Sequence, residues 1–134
     1  MQLPKDDPIV ICDGIRSPIG HVAKSLSDSS PSTLMTQNIR ALVKKLNIAP
    51  EVIDQLILGW VGQDVSAPNI ARVTGLNAGL REDIPAFTVQ CNCVSSIEAL
   101  SSGARVLMTG EATAVLAGGV ETMSGYPYTI TGSR

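Results

Sequence analysis

The feature of this sequence that most limits its possible folds is a series of short, continuously apolar runs that alternate with stretches of helical periodicity. The apolar runs are Pro8–Cys12, Gln55–Trp60, "AFTVQC" at 86–91 and Ala112–Val120. Helical spacing of apolar residues recurs in the intervening ranges 32–46, 70–76 and 93–108. An apolar run without polar alternation is typical of a strand that is buried on both faces. The pattern therefore predicts an α/β fold, a mostly parallel sheet with helices on both faces.

Two of the predicted helices carry recognisable end signals. Ser32 is the expected N-cap of the first helix, and Asn47 is expected near its end. In the third helix, Asn92 is the expected N-cap and Cys93 would occupy the first helical position. The apolar positions of that helix form a stripe at helical spacing. The stripe consists of Cys93, Ile97, Leu100, Ala104, Leu107 and Met108.

Charge, hydropathy and cysteine usage exclude several classes of function. The net charge is −2 and the only adjacent basic pair is Lys44 with Lys45, so no nucleic-acid partner is expected. No apolar run approaches the ~20 residues that cross a bilayer, and the first ten residues lack the order of a signal peptide. Three cysteines without framework spacing fit a reducing compartment. We expect an intracellular, cytoplasmic chain with no membrane partner.

The cysteines allow several interpretations. A disulfide between Cys91 and Cys93 would close a very small loop of poor geometry, and a reducing compartment disfavours it. A metal site needs about four ligands, and Cys12 and His21 lie far from this pair in sequence, so no metal is predicted. Burial is the ordinary environment of a free cysteine. We expect it for Cys12 and favour it for Cys91.

Cys93 differs because of its predicted place at the start of a helix. The first backbone N–H groups of a helix have no partner within it, and with the helix dipole they stabilise a negatively charged sulfur. They can also donate to an oxyanion that forms when a thiolate attacks a carbonyl. A strand–helix junction of an α/β sheet is a usual place for ligands. On these grounds alone a nucleophilic Cys93 and a buried structural Cys93 are equally supported.

Five segments resemble, in order and at compatible spacing, motifs of the N-terminal half of the thiolase family. They are "DGIRSPIG", "LILGWVGQ", "APNIARVTGLNAGL", "IPAFTVQCNCVSS" and "VLAGGVETMSGYPY". Each motif alone is modest, but five in order are specific. The resemblance implies a thiolase-like half, with an incomplete α/β domain at 1–125 and the truncated start of a loop excursion at 126–134.

The resemblance implies a chemistry and assigns its nucleophile. Cys93 matches the acyl-accepting cysteine of the family, with its backbone N–H as one oxyanion donor, whereas Cys91 falls where the family varies. The thiolate takes an acyl group from an acyl-CoA, and a second acyl-CoA attacks the thioester through its α-carbon; in reverse, CoA cleaves a 3-ketoacyl-CoA. No cofactor and no metal are implied, since CoA belongs to the substrate. The family also implies a homo-oligomer and a place in lipid metabolism.

The sequence departs from the family pattern around the nucleophile. Ser96 stands where the family has glycine and Val94 replaces a small residue, so both are expected to crowd the site. The histidine, second cysteine and asparagine with which the family completes its site are absent, and His21 is expected to be a solvated loop residue. We therefore expect no turnover by this chain alone and a C-terminal thiolase half as its partner. The alternative is a non-catalytic or degenerate thiolase-like module that binds a partner or scaffolds a complex.

Two further charged residues allow both functional and structural interpretations. Arg16 would bind a CoA phosphate or form a structural ion pair. Glu121, after Gly118 and Gly119, would act as an acid or base, but we favour a role as acceptor for backbone N–H groups in that turn.

Overall fold

Three parallel strands and three α-helices organise the part of the chain that the structure, a computed structural model, describes: residues 8–63, 65–128 and 130–132. The elements in order are α1 (Pro31–Leu46), β1 (Gln55–Gly59), α2 (Ile70–Ala78), β2 (Ala86–Val89), α3 (Ser95–Thr109) and β3 (Val115–Gly119). The strand order is β2-β1-β3, with Ile57 opposite Phe87 on one side and Ala117 on the other. The α/β fold with a parallel sheet is confirmed.

The central strand β1 is completely buried between two helical layers. One face of the sheet packs against α1 and α2, where Leu56 and Leu58 join a single hydrophobic core with Ile39 and Ile70. On the other face α3 lies against the strands, since a Cβ placed on Gly59 would meet the backbone of the first turn of α3. Helices therefore cover both faces, as the alternating pattern predicts.

The N-cap of the first helix lies two residues earlier than the sequence predicts. Pro31 is its first residue, and Ser30 is the N-cap, whose Oγ accepts a hydrogen bond from Thr33 N–H at 3.1 Å. The prediction of Ser32 as N-cap is wrong because Pro31 has no N–H and its fixed φ suits the first helical position. Asn47 closes the helix in the left-handed conformation, with φ of 51°, as expected from its position.

The predicted first strand, Pro8–Cys12, is not formed. This segment has no regular structure, and Val10 and Ile11 are 65% and 83% exposed. The expectation of a buried Cys12 is therefore also wrong, since Cys12 is exposed. The apolar run indicates a preference for burial, but a strand also needs a neighbour for its backbone hydrogen bonds. Among the described residues, no strand lies beside this segment.

The face that α3 turns to the sheet consists of small residues. Its buried positions are Ser95, Ala99 and Gly103, four residues apart. The predicted apolar stripe is not the buried face, because Ile97 and Leu100 are 65% and 43% exposed. Close approach explains the difference, since a Cβ on Gly103 would lie 3.1 Å from a methyl group of β3.

The segment after β3 folds back over the loop that precedes α1. Its short 3-10 turn, Met123–Gly125, provides Ser124, whose Oγ accepts from Ala23 N–H at 2.9 Å. The predicted domain boundary between 125 and 126 stays a prediction. No helix in the described ranges is long and apolar enough to cross a membrane.

Candidate functional site

The carboxyl ends of the three strands meet at one edge of the sheet because the strands are parallel. β1 ends at Gly59, β2 at Val89 and β3 at Gly119. The chain runs from β1 to one neighbour and then crosses to the other side of β1. Ligands of open α/β sheets bind at this edge, where the strand order reverses. Cys93 lies at the same edge, in the short connection between β2 and α3.

A hydrogen-bonded turn presents Cys93. Val94 N–H donates to the Cys91 carbonyl at 3.2 Å, and Asn92 has a φ of 52° in the left-handed region. The Ser95 hydroxyl accepts from Cys91 N–H at 2.9 Å and donates to the Asn92 carbonyl at 2.6 Å. One short side chain thus ties both ends of the turn together.

This turn corrects the predicted start of the third helix. The helix begins at Ser95 and its N-cap is Val94, without a side-chain cap bond, so Asn92 is not the N-cap and Cys93 is not the first helical residue. Asparagine tolerates the left-handed conformation better than most residues. Serine three positions later competes for the backbone groups that a helix would use. Ser95 is the residue of this turn that the helical pattern does not single out, and its spacing from Asn92 is the signal that points to it.

Cys91 and Cys93 are both free and exposed. The favoured burial of Cys91 is therefore wrong, because the turn projects beyond the end of the sheet instead of continuing β2. Exposure makes the Cys93 sulfur accessible to a substrate. Within the described ranges, no side chain or backbone group hydrogen-bonds the Cys93 thiol.

The first turn of α3 rests directly on the ends of β1 and β3. A Cβ on Gly59 would lie 2.5 Å from Ser96 N, and a Cβ on Gly119 would overlap the Ser96 hydroxyl. The side chain of Ser96 therefore occupies the space that the missing Cβ of Gly119 leaves at the end of the sheet. These two glycines fix the distance between the sheet and the turn that carries Cys93.

Glu121 connects the ends of β1 and β3. Its carboxylate accepts from the Trp60 indole N–H at 3.1 Å and from Val61 N–H at 3.2 Å. Glu121 is thus an acceptor for backbone N–H, as favoured, although the donor belongs to the end of β1 and not to its own turn. Burial, together with a hydrogen bond to Glu121, raises the pKa of Tyr126. The carboxylate is engaged in cross-strand contacts.

Arg16 and His21 both lie on exposed loop backbone. The Arg16 guanidinium donates to the Ser17 carbonyl at 2.9 Å, and no ion pair of the described residues includes it. The same loop is held to α1 instead by Lys45, which pairs with Asp13 at 2.8 Å and lowers the pKa of that carboxyl. The structure joins neither Arg16 nor His21 to Cys93 by a hydrogen bond.

Two shallow clefts flank this loop and leave Cys93 outside. Their volumes are about 190 and 150 Å³. The larger lies between the loop and the segment that follows β3, and the smaller lies between the loop, α1 and β3. Both are smaller than the roughly 300 Å³ at which small-molecule sites begin. In the ranges 8–63, 65–128 and 130–132, no three metal-ligating side chains cluster.

Comparison with known proteins identifies relatives of the whole described region. The family model described as "Thiolase, N-terminal domain" matches residues 9–133. The chain is 34% identical over 119 residues to human "Trifunctional enzyme subunit beta, mitochondrial" and 40% identical over 119 to "Probable 3-ketoacyl-CoA thiolase" of Caenorhabditis elegans. Each match covers 89% of this chain, but 25% and 27% of the relatives. The chain thus spans about a quarter of the length of these relatives.

Solved structures give the same result. The acetyl-CoA acetyltransferase of Bacillus anthracis superposes with a TM-score of 0.82 at 34% identity, over 86% of this chain and 29% of that one. A thiolase from Ascaris suum in complex with coenzyme A superposes with a TM-score of 0.80 at 24% identity, over 84% of this chain and 30% of that one. The second likeness concerns the fold alone.

Proposed function

This chain belongs to the thiolase family, and we propose that it provides the acyl-accepting nucleophile, Cys93, of a complete thiolase. The reaction is transfer of an acyl group between CoA thioesters, by condensation to a 3-ketoacyl-CoA or by its thiolysis. The names of the curated relatives, a 3-ketoacyl-CoA thiolase and an acetyl-CoA acetyltransferase among them, support this chemistry.

One observation supports the assignment of Cys93 most strongly. It is an exposed thiol at the carboxyl edge of the sheet, on a turn whose first two residues, Cys91 and Asn92, hydrogen-bond the Ser95 hydroxyl. The close contact of that turn with Gly59 and Gly119 leaves little freedom for its backbone. A nucleophile held in this way loses little additional freedom when it attacks, which favours the reaction.

The proposed reaction has two steps at the Cys93 sulfur. The thiolate attacks the carbonyl carbon of an acyl-CoA, a new C–S bond forms, and the CoA thiolate leaves. The α-carbon of a second acyl-CoA then attacks the thioester and frees Cys93. We assign one oxyanion donor to the backbone N–H of Cys93, because the developing negative charge lies next to that residue.

A proton acceptor is required for both steps. The Cys93 thiol has no hydrogen-bond partner among the described residues, and the chain spans about a quarter of its curated relatives. We therefore propose that the base belongs to a C-terminal thiolase half and that the 134-residue chain alone has no turnover. A cytoplasmic location and homo-oligomerisation belong to the same proposal. Exposed Ile97 and Leu100 on α3 support a covering partner, since apolar patches of this kind mark interfaces.

Acetylation by acetyl-CoA tests the assignment. The full-length protein is incubated with acetyl-CoA, digested with trypsin and analysed by mass spectrometry. We expect one acetyl group on Cys93, which persists in Cys91→Ser and disappears in Cys93→Ser. Acetylation of Cys91, or none on either residue, would overturn the proposal. Absence of acetylation would favour the non-catalytic thiolase-like module, for which the unpartnered Cys93 thiol is the structural argument.

A further inference from the structure

A second thiol lies beside the proposed nucleophile and has no role in acyl transfer. Cys91 and Cys93 flank Asn92, and both thiols are free and exposed. The third cysteine, Cys12, is also free and exposed, but it belongs to the segment before α1. The three residues therefore differ in their neighbours and not in their exposure.

The backbone brings Cys91 and Cys93 within bonding range of one another. Asn92, with φ of 52°, lies in the left-handed region, and the Val94 N–H bond to the Cys91 carbonyl closes the turn. Two residues of fully extended chain span at most about 7 Å, and a closed turn spans less. Disulfides form at Cα separations of about 4.4 to 6.8 Å.

We propose that Cys91 is a resolving thiol, which forms a reversible disulfide with Cys93 when a peroxide oxidises the pair. The disulfide depends only on the two exposed cysteines and the turn between them. The choice of Cys93 as the sulfur that is oxidised first rests on the proposed function, which requires that sulfur to be the stronger nucleophile.

The chemistry proceeds in two balanced steps. The Cys93 thiolate attacks one oxygen of hydrogen peroxide, so that an S–O bond forms, the O–O bond breaks and hydroxide leaves. The product is a sulfenic acid. The Cys91 thiolate then attacks the Cys93 sulfur, an S–S bond forms, the S–O bond breaks and a second hydroxide leaves. The two protons released by the thiols convert both hydroxides to water.

The small size of the loop makes such a disulfide reversible. Strained and exposed disulfides are reduced more readily than structural ones and are the labile or regulatory class. Cytosolic disulfides are usually transient because glutathione and thioredoxin reduce them. A reducing compartment therefore disfavours a permanent Cys91–Cys93 bond but allows a temporary one. While it lasts, the bond blocks acyl transfer and prevents oxidation of Cys93 to the irreversible sulfinic and sulfonic acids.

Mass spectrometry of the oxidised full-length protein tests the proposal. Trypsin cleaves after Arg81 and Arg105, so one peptide, 82–105, contains both cysteines and no third one. After hydrogen peroxide treatment we expect this peptide to be lighter by two hydrogens, and dithiothreitol should restore its mass. Cys91→Ser should lose this species and accumulate sulfinic and sulfonic acid at Cys93. The matched control Cys12→Ser, another exposed cysteine, should behave as wild type.

Two results would overturn the resolving role. One is a disulfide of Cys93 with a different cysteine, and the other is equal over-oxidation of Cys93 in wild type and Cys91→Ser. Acetylation of the reduced proteins separates this inference from the proposed function. Acetylation without the disulfide removes only the resolving role, whereas the disulfide without acetylation removes only the acyl-transfer role.

Discussion

The two helical layers pack on the same sheet in opposite ways. On the α1–α2 side, large side chains such as Leu56, Leu58 and Ile70 fill a core. On the α3 side, Gly59 and Gly103 let the helix backbone approach the strands closely. The first arrangement stabilises the fold through buried apolar area. The second contributes less burial but fixes the position of the turn that carries Cys93.

The core layer should show the largest loss of stability on truncation. Leu58→Ala removes a side chain that is fully buried in the central strand, and we expect it to lower the free energy of unfolding by about 2–5 kcal/mol. Leu58→Met, which conserves volume, should cost less than about 1.5 kcal/mol. Denaturant unfolding of the full-length protein measures both. Equal losses in the two variants would contradict a tightly packed core on this side.

In the α3 layer, an added side-chain atom should lower the free energy of unfolding. Gly59→Ala places a Cβ 2.5 Å from Ser96 N, so α3 must shift, at an expected cost of about 1–3 kcal/mol. The matched control is Gly14→Ala, since nothing lies within 4 Å of a Cβ there. That control should change the free energy of unfolding by less than about 0.5 kcal/mol. An unaltered Gly59→Ala protein would refute the close contact.

The side-chain closure of the Cys93 turn should have a smaller effect. Ser95→Ala removes the hydrogen bonds of Oγ to Cys91 N–H and to the Asn92 carbonyl, and we expect a loss of about 1 kcal/mol. Ser102→Ala, on the same helix, is the control: it removes hydrogen bonds only to the Glu98 and Arg105 side chains, which are partly exposed, and should change stability by less than about 0.5 kcal/mol. Thermal unfolding distinguishes them. If both variants lose the same stability, the Ser95 closure does not hold the turn.

The smallest expected effect on stability is that of Asp54, which lies at the opposite edge of the sheet. This effect depends on pH. Hydrogen bonds from Thr113 N–H, the Thr113 hydroxyl and Ala114 N–H lower the pKa of Asp54 below 3.8. The associated stability is therefore fully present above pH 3.8 and is lost as pH falls below it, through the lowered pKa of the folded state. Asp54→Asn should remove this part of the acid dependence of unfolding and leave acetylation of Cys93 unchanged. An identical acid profile in both proteins would contradict it.

Local sequence patterns predicted several helices and strands correctly. The buried run of β1 and the helix α2 needed only their apolar patterns, and both formed as expected. Pro8–Cys12 failed because strand formation depends on a neighbour that the pattern does not specify. The apolar stripe of α3 does not indicate which face is buried, because close approach to Gly59 and Gly119 of other elements selects the small-residue face.

The candidate site also combines features that local sequence signals predict with features that they do not. Cys93 was identified from its place between strand and helix and from the resemblance to thiolases. The left-handed Asn92 and the Ser95 closure were not, because a side chain that competes for backbone groups moves a helix start by two residues. The contact of Glu121 with Trp60 joins residues that are distant in sequence, so no local pattern contains it.

The central claim is that the α3 layer positions Cys93 while the core layer only stabilises the fold. The most direct test is the single-turnover rate of Cys93 acetylation by acetyl-CoA, per folded molecule, in full-length Gly59→Ala and Leu58→Ala. We predict that Leu58→Ala acetylates at the wild-type rate and that Gly59→Ala is slower by about 10²-fold, the effect of a misplacement of about 1 Å. Equal rates in the two variants would contradict the claim.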